Sequence, residues 1–352
     1  MRQVLALTVS MLLLAAIADL RPAPLPAAEP QPAAAAPPAV EPGKPPAPPG
    51  KQRSWPKAEW VDPDHSGPNG TKFKTFQSKV LGQEVSYLVY LPPGYEEGSR
   101  RYPVIYWLHG MGAPPRAGAT LFVPRVDAAV KEGTLPPAIV VVVNGMVNAF
   151  YCDSADGKRP LESVIIKDLV PHIDQTYRTI ARREGRVIEG YSMGGYGAAH
   201  LGFKYPELFG TVVINAGAMM RPDTFGNSKG GFFQDVWAGR ERYVAEYPAE
   251  LARKNADQLR GRTHIRIGVG SLDNLLRVNQ DLHELLGELK IAHQYEVVPD
   301  VAHNSGLYYQ KLGTKGFEFH RKVFEALGAA RDASAAGADL SGKAPVAGAP
   351  RP

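Results

Sequence analysis

Short apolar runs recur through the middle of this sequence, and helix-period segments separate them. The runs are Pro103–Leu108, Ala138–Val143, Arg186–Glu189, Thr211–Ile214, Ile265–Val269 and Gln294–Val298, each four to six residues long. Runs of this kind suit strands covered on both faces, where the alternation of a half-exposed strand is lost. Between them, Leu161–Tyr177 places Ile165, Leu169 and Ile173 four apart, with a kink expected at Pro171. Gly195–Tyr205 reads as a helix rich in small residues, and Leu275–Leu289 sets Leu275, Leu282, Leu285, Leu286 and Leu289 on one face. Phe317–Leu327 is expected to be the closing helix. Upstream, Lys72–Val80 and Glu84–Leu91 flank Leu81-Gly82-Gln83 and predict an antiparallel hairpin. The alternation implies an α/β fold: a mostly parallel sheet, helices on both faces and an N-terminal antiparallel hairpin. In such sheets a site lies beyond the carboxyl ends of the strands.

Both ends of the chain have a different composition. Residues 21–50 hold 12 prolines and 9 alanines, too few large apolar side chains to build a core. Ahead of them, Arg2 precedes the uncharged run Val4–Ala18, followed by small residues. A run of this length falls short of the roughly 20 residues that span a bilayer and has the form of a secretory signal. Ala16-Ile17-Ala18 and Pro26-Ala27-Ala28 are both cleavage candidates. The expected organisation is a signal segment at 1–28, a Pro/Ala-rich linker at 29–54, one domain at 55–327 and an Ala/Gly/Pro tail at 328–352. The implied location is secreted or periplasmic, with a membrane tether if the segment stays uncleaved and no transmembrane span in the mature chain. One cysteine in 352 residues excludes an internal disulfide and a Cys-rich zinc site. The net charge of +5 is spread along the chain and gives no reason to expect a nucleic-acid partner.

The loop after Arg186–Glu189 reads Gly190-Tyr191-Ser192-Met193-Gly194, G-x-S-x-G between a predicted strand and a predicted helix. A serine on so tight a turn projects its hydroxyl above the sheet, and the flanking glycines remove side chains that would collide there. The alternative is an inert serine in a glycine-rich turn. A nucleophilic serine needs a base, and in this fold class the chain order is Ser, acid, His. His303 alone among the downstream histidines follows the end of a late strand. Asp273 follows the preceding strand, in Gly270-Ser271-Leu272-Asp273-Asn274, where it would orient the imidazole. Ser271 or Asp273 is also placed to cap the next helix. Backbone N–H groups of Met193 and of Met111, in Leu108-His109-Gly110-Met111-Gly112, are the expected oxyanion donors. A His109–Asp168–Ser192 arrangement is a rival, excluded because Asp168 falls within a helix.

These segments, with Tyr90-Leu-Pro-Pro-Gly-Tyr95, Tyr205-Pro-Glu-Leu-Phe209 and Val301-Ala-His-Asn304, resemble the putative-esterase family of the α/β-hydrolases. That family includes feruloyl and acetylxylan esterases, S-formylglutathione hydrolase, enterochelin esterases and mycolyltransferases. The resemblance covers nearly all of 72–327. It implies the α/β-hydrolase fold and roles for Ser192, Asp273, His303 and the N–H groups of Met111 and Met193. Glu189 departs from the small residue that such families often carry before the elbow. The implied reaction is ester hydrolysis through an acyl-serine, with no metal and no cofactor. The substrate class is a small-molecule or polysaccharide-linked ester, feruloyl and acetyl esters among the candidates. An acyltransferase using the same residues, and more remotely a non-catalytic carbohydrate-binding module, are the alternatives.

His283-Glu284-Leu-Leu-Gly287 lacks the second histidine of a zinc-protease motif. Cys152 reads as a passive loop thiol. The stretch 219–260 carries Phe225, Phe232, Phe233, Trp237, Tyr243 and Tyr247, which either line a pocket or pack the insertion on the core.

Overall fold

The computed structural model describes residues 59–224 and 232–328. The expected signal segment, the Pro/Ala-rich linker, the tail beyond Gly328 and Phe225 lie outside the described residues. The chain divides into a unit of residues 28–325 and a second, 1–27 with 326–352, of which only 326–328 are described. The first unit carries all the chemistry below.

Its frame is one eight-stranded sheet. The strands are β1 (Thr71–Gln77), β2 (Glu84–Tyr90), β3 (Val104–Leu108), β4 (Ile139–Val143), β5 (Arg186–Tyr191), β6 (Thr211–Asn215), β7 (His264–Gly270) and β8 (Gln294–Val298). Their order is β1-β2-β4-β3-β5-β6-β7-β8. β1 and β2 pair antiparallel, as the sequence predicts, and β2 also runs against β4. The contacts from β4 and β3 through to β8 are all parallel. Every residue of β3, β4, β5 and β6 is buried, which explains why their apolar residues run together instead of alternating with polar ones. Edge strand β1 instead alternates between buried and exposed positions, as a strand with one wet face does.

The helices are α1 (Pro115–Leu121), α2 (Val123–Lys131), α3 (161–176), α4 (Met193–Lys204), α5 (Phe232–Trp237), α6 (Arg240–Ala245), α7 (Pro248–Lys254), α8 (Ala256–Leu259), α9 (Leu276–Glu288), α10 (Ser305–Leu312) and α11 (318–328). In α3 the expected residues Ile165, Leu169 and Ile173 are all buried. The change expected at Pro171 is one of helical form: a π stretch, Val164–Leu169, precedes the α turns Val170–Thr176. Pro171 therefore sits in a first α turn, where its missing N–H costs least. In α9, Leu282, Leu285 and Leu286 are buried, but the fully buried partner one turn earlier is Asn279 rather than Leu275. Asn279 holds both backbone groups of Gly217 by hydrogen bonds of 2.9 and 3.0 Å.

Registers align the strand ends. Leu108 faces Gly190, Tyr191 faces Asn215, Asn215 faces Gly268, and Gly270 faces Val298. The loops after β3, β5, β6, β7 and β8 therefore leave one rim of the sheet.

Candidate active site

Ser192 sits between β5 and α4 with φ 62° and ψ −116°. A residue with a Cβ occupies that region only under strain. The turn is held from two sides: the Ser192 N–H donates to the Asn215 carbonyl (2.9 Å), and the Ser192 carbonyl accepts from Tyr196 (3.0 Å) and Ala218 (2.9 Å). The glycines expected around it are needed for space. A Cβ on Gly190 would collide with the Gly194 backbone, and one on Gly194 with the Leu108 carbonyl. The helix expected from Gly195 begins at Met193, directly after the serine, because Gly194 and Gly195 let the first turn pass this close to β3 and β6.

The expected histidine and aspartate come to this serine. The Ser192 hydroxyl lies 2.9 Å from His303 Nε2. His303 Nδ1 lies 2.9 Å from Asp273 Oδ2 and 3.1 Å from Oδ1. These contacts set the tautomer: Nδ1–H donates to the carboxylate and Nε2 accepts from the serine hydroxyl. The Asp273 side chain is fully buried, while a third of the His303 side chain is exposed toward the mouth of the site. Tyr191 packs on the imidazole at 5.2 Å between ring centres. Burial, and then the charge of Asp273, hold the Tyr191 hydroxyl well above its ordinary pKa, so it stays protonated. Asp273 Oδ1 also accepts the Leu275 N–H at 2.8 Å. The capping expectation changes accordingly: the N-cap of α9 is Leu275, Asp273 closes a local turn before it, and the Ser271 hydroxyl accepts from the Asp300 N–H at 2.8 Å.

The loop after β3 approaches from the other side. A Cβ built on Gly110 would lie 3.6 Å from the Ser192 Cβ. Met111 follows, 38% exposed, and the next N–H, that of Gly112, is committed to the Val147 carbonyl at 2.8 Å. Met193 opens α4, so its N–H belongs to the first turn, which has no intrahelical acceptor. His109, the rival base, is buried with both nitrogens in use. Nδ1–H donates to the Gly110 carbonyl and Nε2 accepts the Gly145 N–H, each at 3.0 Å. Burial lowers its pKa from 6.5 to about 4 and keeps it neutral. Asp168 is engaged with Ser78 (2.6 Å) and the Val80 N–H (3.0 Å).

Sequence reasoning missed a polar network beneath the elbow. Glu189 is buried and accepts from His320 Nε2 at 2.8 Å and from Asn215 Nδ2 at 3.0 Å. Asn215 also donates to the Tyr309 hydroxyl (3.1 Å) and accepts from Arg266 (3.1 Å) and the Tyr308 hydroxyl (2.9 Å). The residue that holds the serine N–H is thus held in turn by β5, β7 and α10. The one available signal was a glutamate inside the apolar run of β5. Trp237 and Tyr243 of the 219–260 stretch are buried and pack edge to face at 4.8 Å, so they serve the core.

Comparison with known proteins agrees with this architecture. The family described as putative esterase matches residues 78–324. An endo-1,4-beta-xylanase/feruloyl esterase of Xylanibacter ruminicola is 33% identical over 167 residues, 44% of this chain and 22% of that protein. An esterase of Mycobacterium tuberculosis is 32% identical over 152 residues, 42% of this chain and 32% of its own. The chain therefore matches less than a third of the length of either relative. Among solved structures, a ferulic acid esterase superposes with a TM-score of 0.63 at 24% identity, covering 72% of this chain and 98% of that one. This likeness is one of fold, the α/β-hydrolase sheet with its antiparallel N-terminal pair.

Proposed function

The chain belongs to the putative esterase family, and from that membership we propose that it is a serine carboxylic ester hydrolase acting through Ser192, His303 and Asp273. The observation that carries the reading is the continuous hydrogen-bonded line from the serine hydroxyl through the imidazole to the carboxylate. In the first half-reaction the Ser192 oxygen bonds to the ester carbonyl carbon while its proton passes to His303 Nε2. The imidazolium then gives that proton to the departing alcohol, which leaves an acyl-serine. In the second half-reaction water repeats the attack, releasing the acid and restoring the serine. Asp273 stabilises the imidazolium in both halves. Met193 and Met111 supply N–H donors to the tetrahedral oxyanion.

Three of the exposed large apolar side chains among the described residues, Met111, Met220 and Leu272, stand on loops after β3, β6 and β7. These loops leave the rim that carries the serine, and apolar side chains there would favour an ester with an apolar or aromatic acyl part. With the feruloyl esterase relative in view, feruloyl or acetyl esters on a polysaccharide are the proposed substrates. The export signal at 1–28 is part of the same proposal, and its test is N-terminal mass analysis of the secreted or periplasmic protein. No helix among the described residues is long and apolar enough to cross a membrane.

A chromogenic ester panel tests the chemistry. Ser192→Ala should lose several orders of magnitude in kcat while remaining folded. Retained activity in the folded variant would overturn the assignment. Added acceptor alcohols separate hydrolysis from acyl transfer: free acid as the main product supports the hydrolase, and a new ester the transferase.

A further inference from the structure

A second cluster of reactive side chains lies about two turns further along α4. His200 is completely buried, and both of its ring nitrogens face oxygen. Nδ1 is 3.0 Å from the Glu246 carbonyl, and Nε2 is 2.7 Å from Glu162 Oε2. A carbonyl only accepts, so Nδ1 carries a hydrogen. A neutral imidazole would then turn its Nε2 lone pair onto a carboxylate oxygen. Something positive must stand between them, a proton or a metal ion. Cys152, also buried, supplies the third donor. One ligand atom each from Cys152, Glu162 and His200 lie within 4.8 Å of one another.

We propose that Cys152 Sγ, Glu162 Oε2 and His200 Nε2 form a structural site for a zinc-type divalent cation. Thiolate, imidazole and carboxylate together select zinc over the hard cations calcium and magnesium. Tetrahedral zinc, with bonds of about 2.0–2.3 Å, sets its ligand atoms roughly 3.3–3.7 Å apart, which small side-chain shifts reach from the present spacing. Glu246, whose Oε2 lies 3.6 Å from His200 Nε2 and 2.6 Å from Lys204 Nζ, would turn from Lys204 to take the fourth position. The surroundings have the form of a supporting layer around a metal. The Glu246 carbonyl orients His200, and Glu162 Oε1 is held by Lys204 (2.8 Å) and the Tyr205 hydroxyl (2.5 Å), which leaves Oε2 to face the ion.

The charges balance with the ion in place. With the ion bound, one thiolate and two carboxylates face Lys204 and a divalent cation. Ligation by a thiolate and by a ring nitrogen releases protons as the ion binds. Burial leaves no open coordination position, so the role is structural: the ion ties the loop after β4, α3, α4 and the turn after α6. The site is independent of the esterase reading.

The test uses the full chain, refolded from denaturant with excess zinc or cobalt and then desalted. About one equivalent of tightly held metal and a sulfur-to-cobalt charge-transfer band are expected. Cys152→Ser should abolish the cobalt band, and His200→Gln should abolish stoichiometric retention. Absence of stoichiometric metal in the folded wild type, a cobalt complex without the thiolate band, or equal retention by folded Cys152→Ser would overturn the site. Should both variants misfold, the cobalt spectrum of the wild type decides alone.

Discussion

Single residues here carry conflicting demands, and His109 is the sharpest example. Its imidazole joins the loop that faces Ser192 to the turn after β4, and it does so only as a neutral ring with one donor and one acceptor. Burial depresses its pKa from 6.5 to about 4, against a smaller upward pull from its bond to Gly110. The sign of the linkage follows. Above about pH 6.5 neither the folded nor the unfolded chain protonates this ring, and its contribution is full. As pH falls toward about 4 the unfolded chain binds the extra proton and stability drops, by roughly 3 kcal/mol at most; below that both states are protonated and nothing more is lost. Urea midpoints at about pH 7 and pH 4.5 should therefore separate more in the wild type than in His109→Gln. An equal shift in both would show that His109 does not govern this part of the acid response. His109 was visible in the sequence only as a rival base, because its partners Gly110 and Gly145 are backbone groups, which leave no pattern of side chains to read.

At the scale of elements, pattern and turn chemistry explain what was legible. The strand cores, the elbow and the chain order Ser192, Asp273, His303 were readable, since the local spacing and the parallel sheet fix which loops share a rim. Helices α1 and α6 to α8 are only four to seven residues long, too short for a hydrophobic period to stand out in the sequence. The Glu189 network was also out of reach, because its members come from β5, β6, β7, α10 and α11, up to 131 positions apart. It makes a definite prediction. Glu189→Ala would leave the His320 and Asn215 donors buried without an acceptor, at a cost of about 3–5 kcal/mol in urea unfolding. Glu189→Gln keeps the volume and one acceptor and should cost less. A loss below about 1 kcal/mol in Glu189→Ala would mean that the network is not what holds β5 against α11.

The folded unit depends on its last described segment. Phe317, Phe319, Val323 and Phe324 are each buried, and His320 seals the pocket of Glu189. At about 1.5–3 kcal/mol for each large apolar side chain, these four contribute on the order of 6–12 kcal/mol, comparable to the full stability of an ordinary domain. A chain stopped after Leu312 retains Ser192, Asp273 and His303, yet is expected to be insoluble and inactive. Soluble, active protein from that truncation would refute the dependence. The rim arrangement adds a consequence for synthesis. The ribosome delivers the serine elbow first, Asp273 and His303 well after it, and the sealing helix later still. During synthesis the segment that bears Ser192 therefore emerges before those that bring Asp273 and His303 to it, so the proposed nucleophile meets its proposed base only after β7 and β8 have been made.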